Sequence, residues 1–408
     1  MSGLRILGVA LLCAVLSGMG LAQEQAEPAT LDPEASVIED RMFGGSDIEL
    51  SLSRGVPHQV YTLSQPNRLV LDFRDLDTAG IDPEALSRSA RLKSLRFGPL
   101  RPGWSRLVAE LARPMVVAQA DMTLDEGSGR ARLRIRLENA SQEDFDSRAG
   151  TFRDPAWDLP DTTASTADRV QAGQGPLRIV LDPGHGGLDP GAEADGTTEA
   201  RLMLTLAREV KDMLERAGGF EVFLTRDADI FVSLEARVAK AHEIGADVFI
   251  SLHADALEEG VARGASVYTL SDKASDAASA ALAERHDRDD LLSGLDLTGA
   301  DDRVANVLLD LARLDNSPRS KALSGHLVQG IRNAVGEVYK HPQRQAGFSV
   351  LKAADIPSVL IEVAFLSTAG ELRKLRDPGW RARMATGIRD GLQAWAAEDA
   401  ATSRLRRR

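Results

Sequence analysis

Cysteine is nearly absent: the only one, Cys13, lies inside an apolar N-terminal run. A chain cut after that run has no thiol, which excludes disulfides, thiolate metal sites and a cysteine nucleophile. A basic excess is also missing. The formal net charge is −12, which argues against a generic nucleic-acid binder. Beyond the N-terminus no apolar run approaches the roughly 18 residues of a membrane span, so no internal transmembrane anchor is expected. No internal period appears, which excludes a repeat scaffold. What remains is an ordinary globular composition, 43% hydrophobic and 27% charged over 408 residues. At about 150 residues per domain, that length suggests two to three domains.

The first 22 residues read as a secretory signal peptide. Arg5 supplies a positive start, Ile6 to Gly20 is mostly apolar, and Gly20-Leu21-Ala22 offers small residues before a cut at Gln23. A membrane anchor is the competing reading, against which the run is short. One arginine alone does not make a twin-arginine signal. Export from the cytoplasm is the expected outcome.

Residues 23–35 are rich in Ala, Glu and Pro and read as a disordered lead-in. From 36 to 140 the pattern has period two. Ile48, Leu50 and Leu52 alternate with polar residues, as do Leu133, Ile135 and Leu137 with Arg134 and Arg136 between them. Short alternating strands separated by turn residues predict an all-β sandwich. Residues 141–175 are dominated by Asp, Ser, Thr, Gly and Pro and read as an interdomain linker. After 176, apolar strands such as Leu177–Leu181 and Ala246–Leu252 alternate with helical spacing, as in Leu202, Leu206, Val210 and Leu214. This predicts a multidomain chain in which the sandwich is followed by an α/β domain with a mainly parallel sheet.

Ligands of open α/β sheets bind where strands end. His185, in Asp182-Pro183-Gly184-His185-Gly186-Gly187, and His253, in Leu252-His253-Ala254-Asp255, both follow strands. Glu362 ends Ser358-Val359-Leu360-Ile361-Glu362, where an ionisable group flanked by Ile361 and Val363 is costly to bury without a purpose. Glu199 opens the helix after the His185 loop. Two histidines and two glutamates suit a catalytic zinc hydrolase: three protein ligands, one position left for water, and a carboxylate for proton transfer. Spacing alone does not say which glutamate is ligand and which is base. The Gly-rich turn around His185 fits neither the dinucleotide nor the P-loop spacing, so a phosphate loop is not supported. A zinc peptidase with the same chemistry is the nearest rival, and it would use a carboxylate-binding arginine, for which Arg226 is the motif-linked candidate. A binding protein with a dead site is the rival from another class. It would be expected to have lost a ligand or the catalytic glutamate, and all four residues are present. His58, His242, His326 and His341 have no motif context.

The stretch Val180-Leu181-Asp182-Pro183-Gly184-His185-Gly186-Gly187-Leu188-Asp189-Pro190-Gly191-Ala192 resembles the opening motif of zinc-dependent N-acetylmuramoyl-L-alanine amidases. Leu224-Thr225-Arg226-Asp227, Ser233-Leu234-Glu235-Ala236-Arg237, Phe249 to Ala256, Gln345 to Leu351 and Ile356 to Ser367 follow in the order of the family's further blocks. The resemblance covers about 176–398. It implies that His185, Glu199 and His253 hold Zn2+ and that Glu362 is the catalytic glutamate. The implied activity is hydrolysis of the amide between N-acetylmuramic acid and L-alanine of peptidoglycan stem peptides, in septal wall splitting. The family usually flanks the liganding glutamate with an aromatic residue and a lysine, where this chain has Thr198 and Ala200. Asn67 to Phe73 and Ser105 to Leu111 resemble the AMIN domain that precedes such amidases.

Residues 271–317 form a polar insertion with two helix-like pieces, 274–287 and 301–314, ahead of a helix starting near Arg319. In septal members of the family such an insertion blocks the metal site until an activator binds, and a LytM-type activator protein is the implied partner. Glu284, His286 and Asp287 are the candidates for an autoinhibitory group at the metal's open position. The tail 401–408 is basic and is read as a disordered end.

Overall fold

The computed structural model describes residues 27–42, 44–101, 103–125, 127–150, 175–256, 263–292, 303–353 and 355–406. The proposed signal peptide lies outside them.

The first half contains strands β1 (Ala29–Asp40), β2 (Ser46–Leu52), β3 (His58–Leu63), β4 (Arg68–Arg74), β5 (Leu76–Asp77), β6 (Leu92–Arg101), β7 (Trp104–Leu111), β8 (Met115–Leu124) and β9 (Ala131–Asn139), with short helices α1 (Pro83–Leu86) and α2 (Gln142–Arg148). They form two sheets, ordered β5-β1-β2-β9-β8 and β3-β4-β7-β6. One apolar core joins them: Ile48, Leu50, Leu133 and Ile135 of the first sheet meet Leu69, Leu71, Phe73 and Leu107 of the second. Two boundaries read from the sequence need correction. Residues 29–35, placed in the disordered lead-in, belong to β1, where Ala29 and Leu31 enter the core. Pro33 hid this strand. It sits in a register shift between Asp32 and Val37, where a residue without an N–H disturbs no ladder bond. Residues 142–148, placed in the linker, form α2, capped by Ser141 and anchored by the buried Phe145. Residues 151–174 of that linker lie outside the described residues.

The second half contains β10 (Leu177–Pro183), β11 (Glu193–Ala194), β12 (Thr197–Thr198), α3 (Glu199–Ala217), β13 (Phe220–Leu224), α4 (Leu234–Ile244), β14 (Val248–His253), β15 (Ala265–Leu270), α5 (Ala277–Leu292), α6 (Arg303–Val335), β16 (Val338–Ala346), β17 (Ser358–Glu362), α7 (Ala369–Arg376) and α8 (Pro378–Arg406). Its main sheet runs β13-β10-β14-β17-β15-β16. The sheet is mixed, which corrects the expectation of a mainly parallel one: β15 runs antiparallel to β17, and β16 follows β15. The segment 254–264 between β14 and β15 is shorter than the dozen or more residues a parallel crossover needs, so the chain turns back instead. Helices α3, α6 and α8 cover one face through Leu206, Val210, Leu327, Ile331, Ile388 and Trp395. Among the described residues no helix is long and apolar enough to cross a membrane.

Two helical readings also change. The second piece of the insertion is not separate: α6 continues through Pro318 into the helix expected near Arg319. A proline normally ends a helix, but here Leu323, Leu327 and Ile331 beyond it pack with the core and hold the helix in place. The basic tail is not a loose end as far as Arg406, because α8 includes it.

Candidate active site

β10, β14 and β17 are parallel neighbours, so their C-terminal ends form one rim. Glu362 pairs in register with His253 across β17 and β14. His185 stands just past β10, at φ 57°. That left-handed conformation is unusual for a residue with a Cβ, and the surroundings enforce it. Gly186 N–H donates to the Asp189 carbonyl at 2.7 Å, and Arg237 donates to the His185 carbonyl at 2.9 Å. Glycine is required at 184, where a Cβ would collide with the His253 ring. Gly191 has φ 67°, and a Cβ there would lie 2.6 Å from the His185 ring.

Glu199 is the first residue of α3, where the helix dipole favours an anion. One of its two flanking departures from the family pattern has local work. Thr198 is the N-cap, accepting from Arg201 N–H, and the Ala200 carbonyl accepts from Arg226 at 2.8 Å. The Glu199 carboxylate accepts from Ala192 N–H at 3.1 Å and Ala254 N–H at 2.8 Å. It also lies 3.3 Å from His185 Nε2 and 3.1 Å from His253 Nδ1. The structure therefore brings His185, Glu199 and His253 together, with Glu362 beside them.

The four groups are buried. Burial and its neighbour His286 pull the His253 imidazole down to about 4, so it is neutral. Burial also disfavours charge on His185, but the Asp189 and Glu199 carboxylates outweigh it and hold that imidazole well above its ordinary value. The pocket thus asks for positive charge between those carboxylates. Burial raises the Glu362 carboxyl well above the ordinary range, and repulsion from Glu199 and Asp255 adds to it. Among the described residues, one Glu362 oxygen has a hydrogen-bond partner, the Asp255 N–H at 3.0 Å. Among the described residues, His185 Nε2, His286 Nε2 and Glu362 Oε1 are buried here without a hydrogen bond. Buried polar atoms are rarely left so.

The blocking candidates separate clearly. Glu284 is exposed. Asp287 is occupied by Ser349, accepting from its N–H at 3.2 Å and its hydroxyl at 2.8 Å. His286 enters the site. Its ring stacks on His253 with centroids 4.3 Å apart and lies 5.6 Å from His185. Ligand atoms of His185, His253 and His286 fall within 4.8 Å of one another. The cavity left beneath α5 holds about 20 Å³, space for little more than one water.

Sequence reading missed the residues that hold these groups. Asp189 Oδ2 meets His185 Nδ1 at 2.8 Å and so turns Nε2 inward. Asp182 joins three elements, accepting from Thr225 at 2.6 Å, Ser251 at 2.6 Å and Arg237 at 2.7 Å. Asp255 receives Arg285 of α5 at 2.9 and 3.1 Å. Asp182, Asp189 and Arg237 lay in the quoted motifs, so buried charge within a motif was the available signal. Arg226, the carboxylate-binding candidate of the peptidase reading, is fully engaged with the carbonyls of Pro183, Gly184, Ala200 and Ala228. It is a buried brace and does not point into a cleft.

A family model described as N-acetylmuramoyl-L-alanine amidase matches residues 179–394. The chain is 32% identical over 381 residues to N-acetylmuramoyl-L-alanine amidase AmiC of Escherichia coli O6:H1, covering 88% of each. It is 34% identical over 363 residues to AmiC of Neisseria meningitidis serogroup B, covering 85% of this chain and 86% of that one. A crystal structure of the Clostridium difficile 630 amidase aligns with a TM-score of 0.41 at 24% identity, covering 54% of this chain and 97% of that one. With its two histidines and two glutamates gathered on one strand rim, this chain belongs to the N-acetylmuramoyl-L-alanine amidase family.

Proposed function

We propose that this chain is a zinc-dependent peptidoglycan amidase that hydrolyses the bond between N-acetylmuramic acid and L-alanine, held inactive by α5. The observation that carries the reading is that His185 Nε2, His286 Nε2 and Glu362 Oε1 are buried without a hydrogen bond, where ligand atoms of His185, His253 and His286 lie within 4.8 Å of one another. Three imidazoles beside a carboxylate, with a second carboxylate turning His185 inward, form a donor set that suits zinc. His185, Glu199 and His253 would hold it. When bound, the metal supplies Lewis-acid polarisation of the amide carbonyl and lowers the pKa of a water.

The rest is work for the protein. Asp189 fixes the His185 tautomer through its 2.8 Å contact. Arg237 and Asp182 keep the His185 loop in its left-handed turn. Glu362 has one oxygen tied to the Asp255 N–H and the other free to take a proton from the attacking water and deliver it to the departing L-alanine nitrogen. Water adds across the C–N bond, giving a lactyl carboxylate and a free amino terminus.

His286 accounts for the inactive state. Three protein ligands leave a catalytic metal open, whereas a fourth closes it. With α5 docked, His286 would hold the fourth place. Glu284 and Asp287 do not serve this role. Opening the site requires a partner to lift α5, and the LytM-type activator of septal family members fits that requirement. The remaining parts of the reading are an AMIN-type wall-targeting domain, supported by two sheets on one core, and export to the periplasm for septal wall splitting, supported by the N-terminal run.

The test is mass spectrometry of fragments released from purified peptidoglycan by the chain lacking 275–316, with zinc and with chelator. Stem peptides with a free L-alanine amino terminus, lost on chelation, are expected. Cleavage within the stem peptide would favour the peptidase reading, and zinc-loaded protein that releases nothing would favour the binding-protein reading.

A further inference from the structure

The β9 strand alternates buried and exposed residues, because one of its faces meets water. β4, in the other sheet, is buried from Arg68 to Phe73 without alternation. A strand covered on both faces needs a second layer, and its own core supplies only one. Leu69, Leu71 and Phe73 face that core, while Val70 joins Tyr61, Leu63 and Val108 in a separate cluster with Leu188 and Phe231 of the catalytic half. The backbones also approach closely. A Cβ at Gly98 would lie 2.7 Å from Leu188 Cα, and Phe231 N–H donates to the Pro99 carbonyl.

At the edge of this interface Arg96 reaches across. It donates to Asp189 Oδ1 at 3.2 Å, to Asp289 Oδ1 at 2.5 Å and to the Asp289 carbonyl at 3.3 Å. Asp289 lies on α5, one turn beyond His286. A second link joins the same helix, as Arg288 lies 3.6 Å from the buried Glu110 of β7.

We propose that the outer face of the β3-β4-β7-β6 sheet is a docking surface for this chain's own catalytic domain, and that Arg96 clasps α5 in its closed position. The clasp rests on the reading that α5 blocks the site. The N-terminal domain then takes part in control of the enzyme as well as in placing it: parting the two domains withdraws Arg96 and frees α5 at its Asp289 end.

The test uses the full chain without activator. Hydrogen exchange is measured at 277–292, together with stem-peptide release from peptidoglycan. Arg96→Ala is expected to speed exchange of α5 and raise release about tenfold, a shift of one decade in the closed–open balance. Asp289→Asn, made on the other side of the contact, should act in the same direction, and Arg96→Lys should restore part of the closure. Exchange at the parent rate in both Arg96→Ala and Asp289→Asn would overturn the clasp. So would slower release with unchanged exchange, which would make Arg96 a positioning residue acting through Asp189. Deletion of 275–316 separates the two claims. If the deletion fails to raise release, the blocking reading falls, while faster exchange in Arg96→Ala still supports the clasp.

Discussion

Both halves of the molecule bury polar clusters, and the clusters differ in one respect. In the β domain, Arg106 donates to Asp72 at 2.6 and 2.9 Å and to the Tyr61 hydroxyl at 3.0 Å, and that hydroxyl donates to Asp72 at 3.1 Å. Each group answers another. At the catalytic rim, Asp182, Asp189 and Arg237 are equally well met, but His185 Nε2 and Glu362 Oε1 make no hydrogen bond. A satisfied cluster fixes a fold. A cluster satisfied everywhere but at a few converging atoms fixes a site, since those atoms keep their capacity for a cation, water or substrate.

The contrast is broken most severely at Glu362. Glu362→Gln should cut stem-peptide release by about 10³-fold, the scale of a lost general base. The melting temperature should stay level or rise, because the carboxylate is buried against Glu199 and Asp255. Asp72→Ala is the mirror experiment. It removes the bidentate partner of a largely covered arginine, and should cost about 3 kcal/mol of stability in denaturant unfolding, while metal content stays unchanged.

The smallest effect sharpens the picture of α5. Asp290 of α5 accepts from Leu234 N–H at 3.0 Å, and burial, with repulsion from Glu235 and Asp189 against the attraction of Arg237, raises its carboxyl to about 8. A carboxyl raised on folding is protonated in the closed state, and the stability it lends is lost as pH climbs from the ordinary carboxylate range through about 8. Hydrogen exchange of 277–292, corrected for its intrinsic pH dependence, should therefore quicken as pH rises toward about 8 and level off above it. Asp290→Asn should flatten the response.

Much of this was legible in the sequence, for physical reasons. His253 and Glu362 end continuous apolar strands, and such strands place their last residues on the rim of a sheet. Glu199 follows a good N-cap, so it opens a helix. Hidden features were those decided by partners distant in the chain. The left-handed turn at His185 depends on Arg237, far along the chain. The direction of β15 depends on the length of the connection before it. The strand at Ala29–Asp40 was masked by Pro33, whose cost vanishes in a bulge. Which of Glu284, His286 and Asp287 faces the rim depends on how α5 rolls against Asp255 and Ser349, which the heavily charged helix surface does not declare.

The most direct test of the central claim is metal analysis of the purified full chain beside its variants. The account predicts about one zinc per chain, lost in His185→Ala, His253→Ala and Glu199→Ala and kept in Asp72→Ala. Full zinc in a His185→Ala, His253→Ala double variant, or none in the parent chain after incubation with zinc, would contradict it.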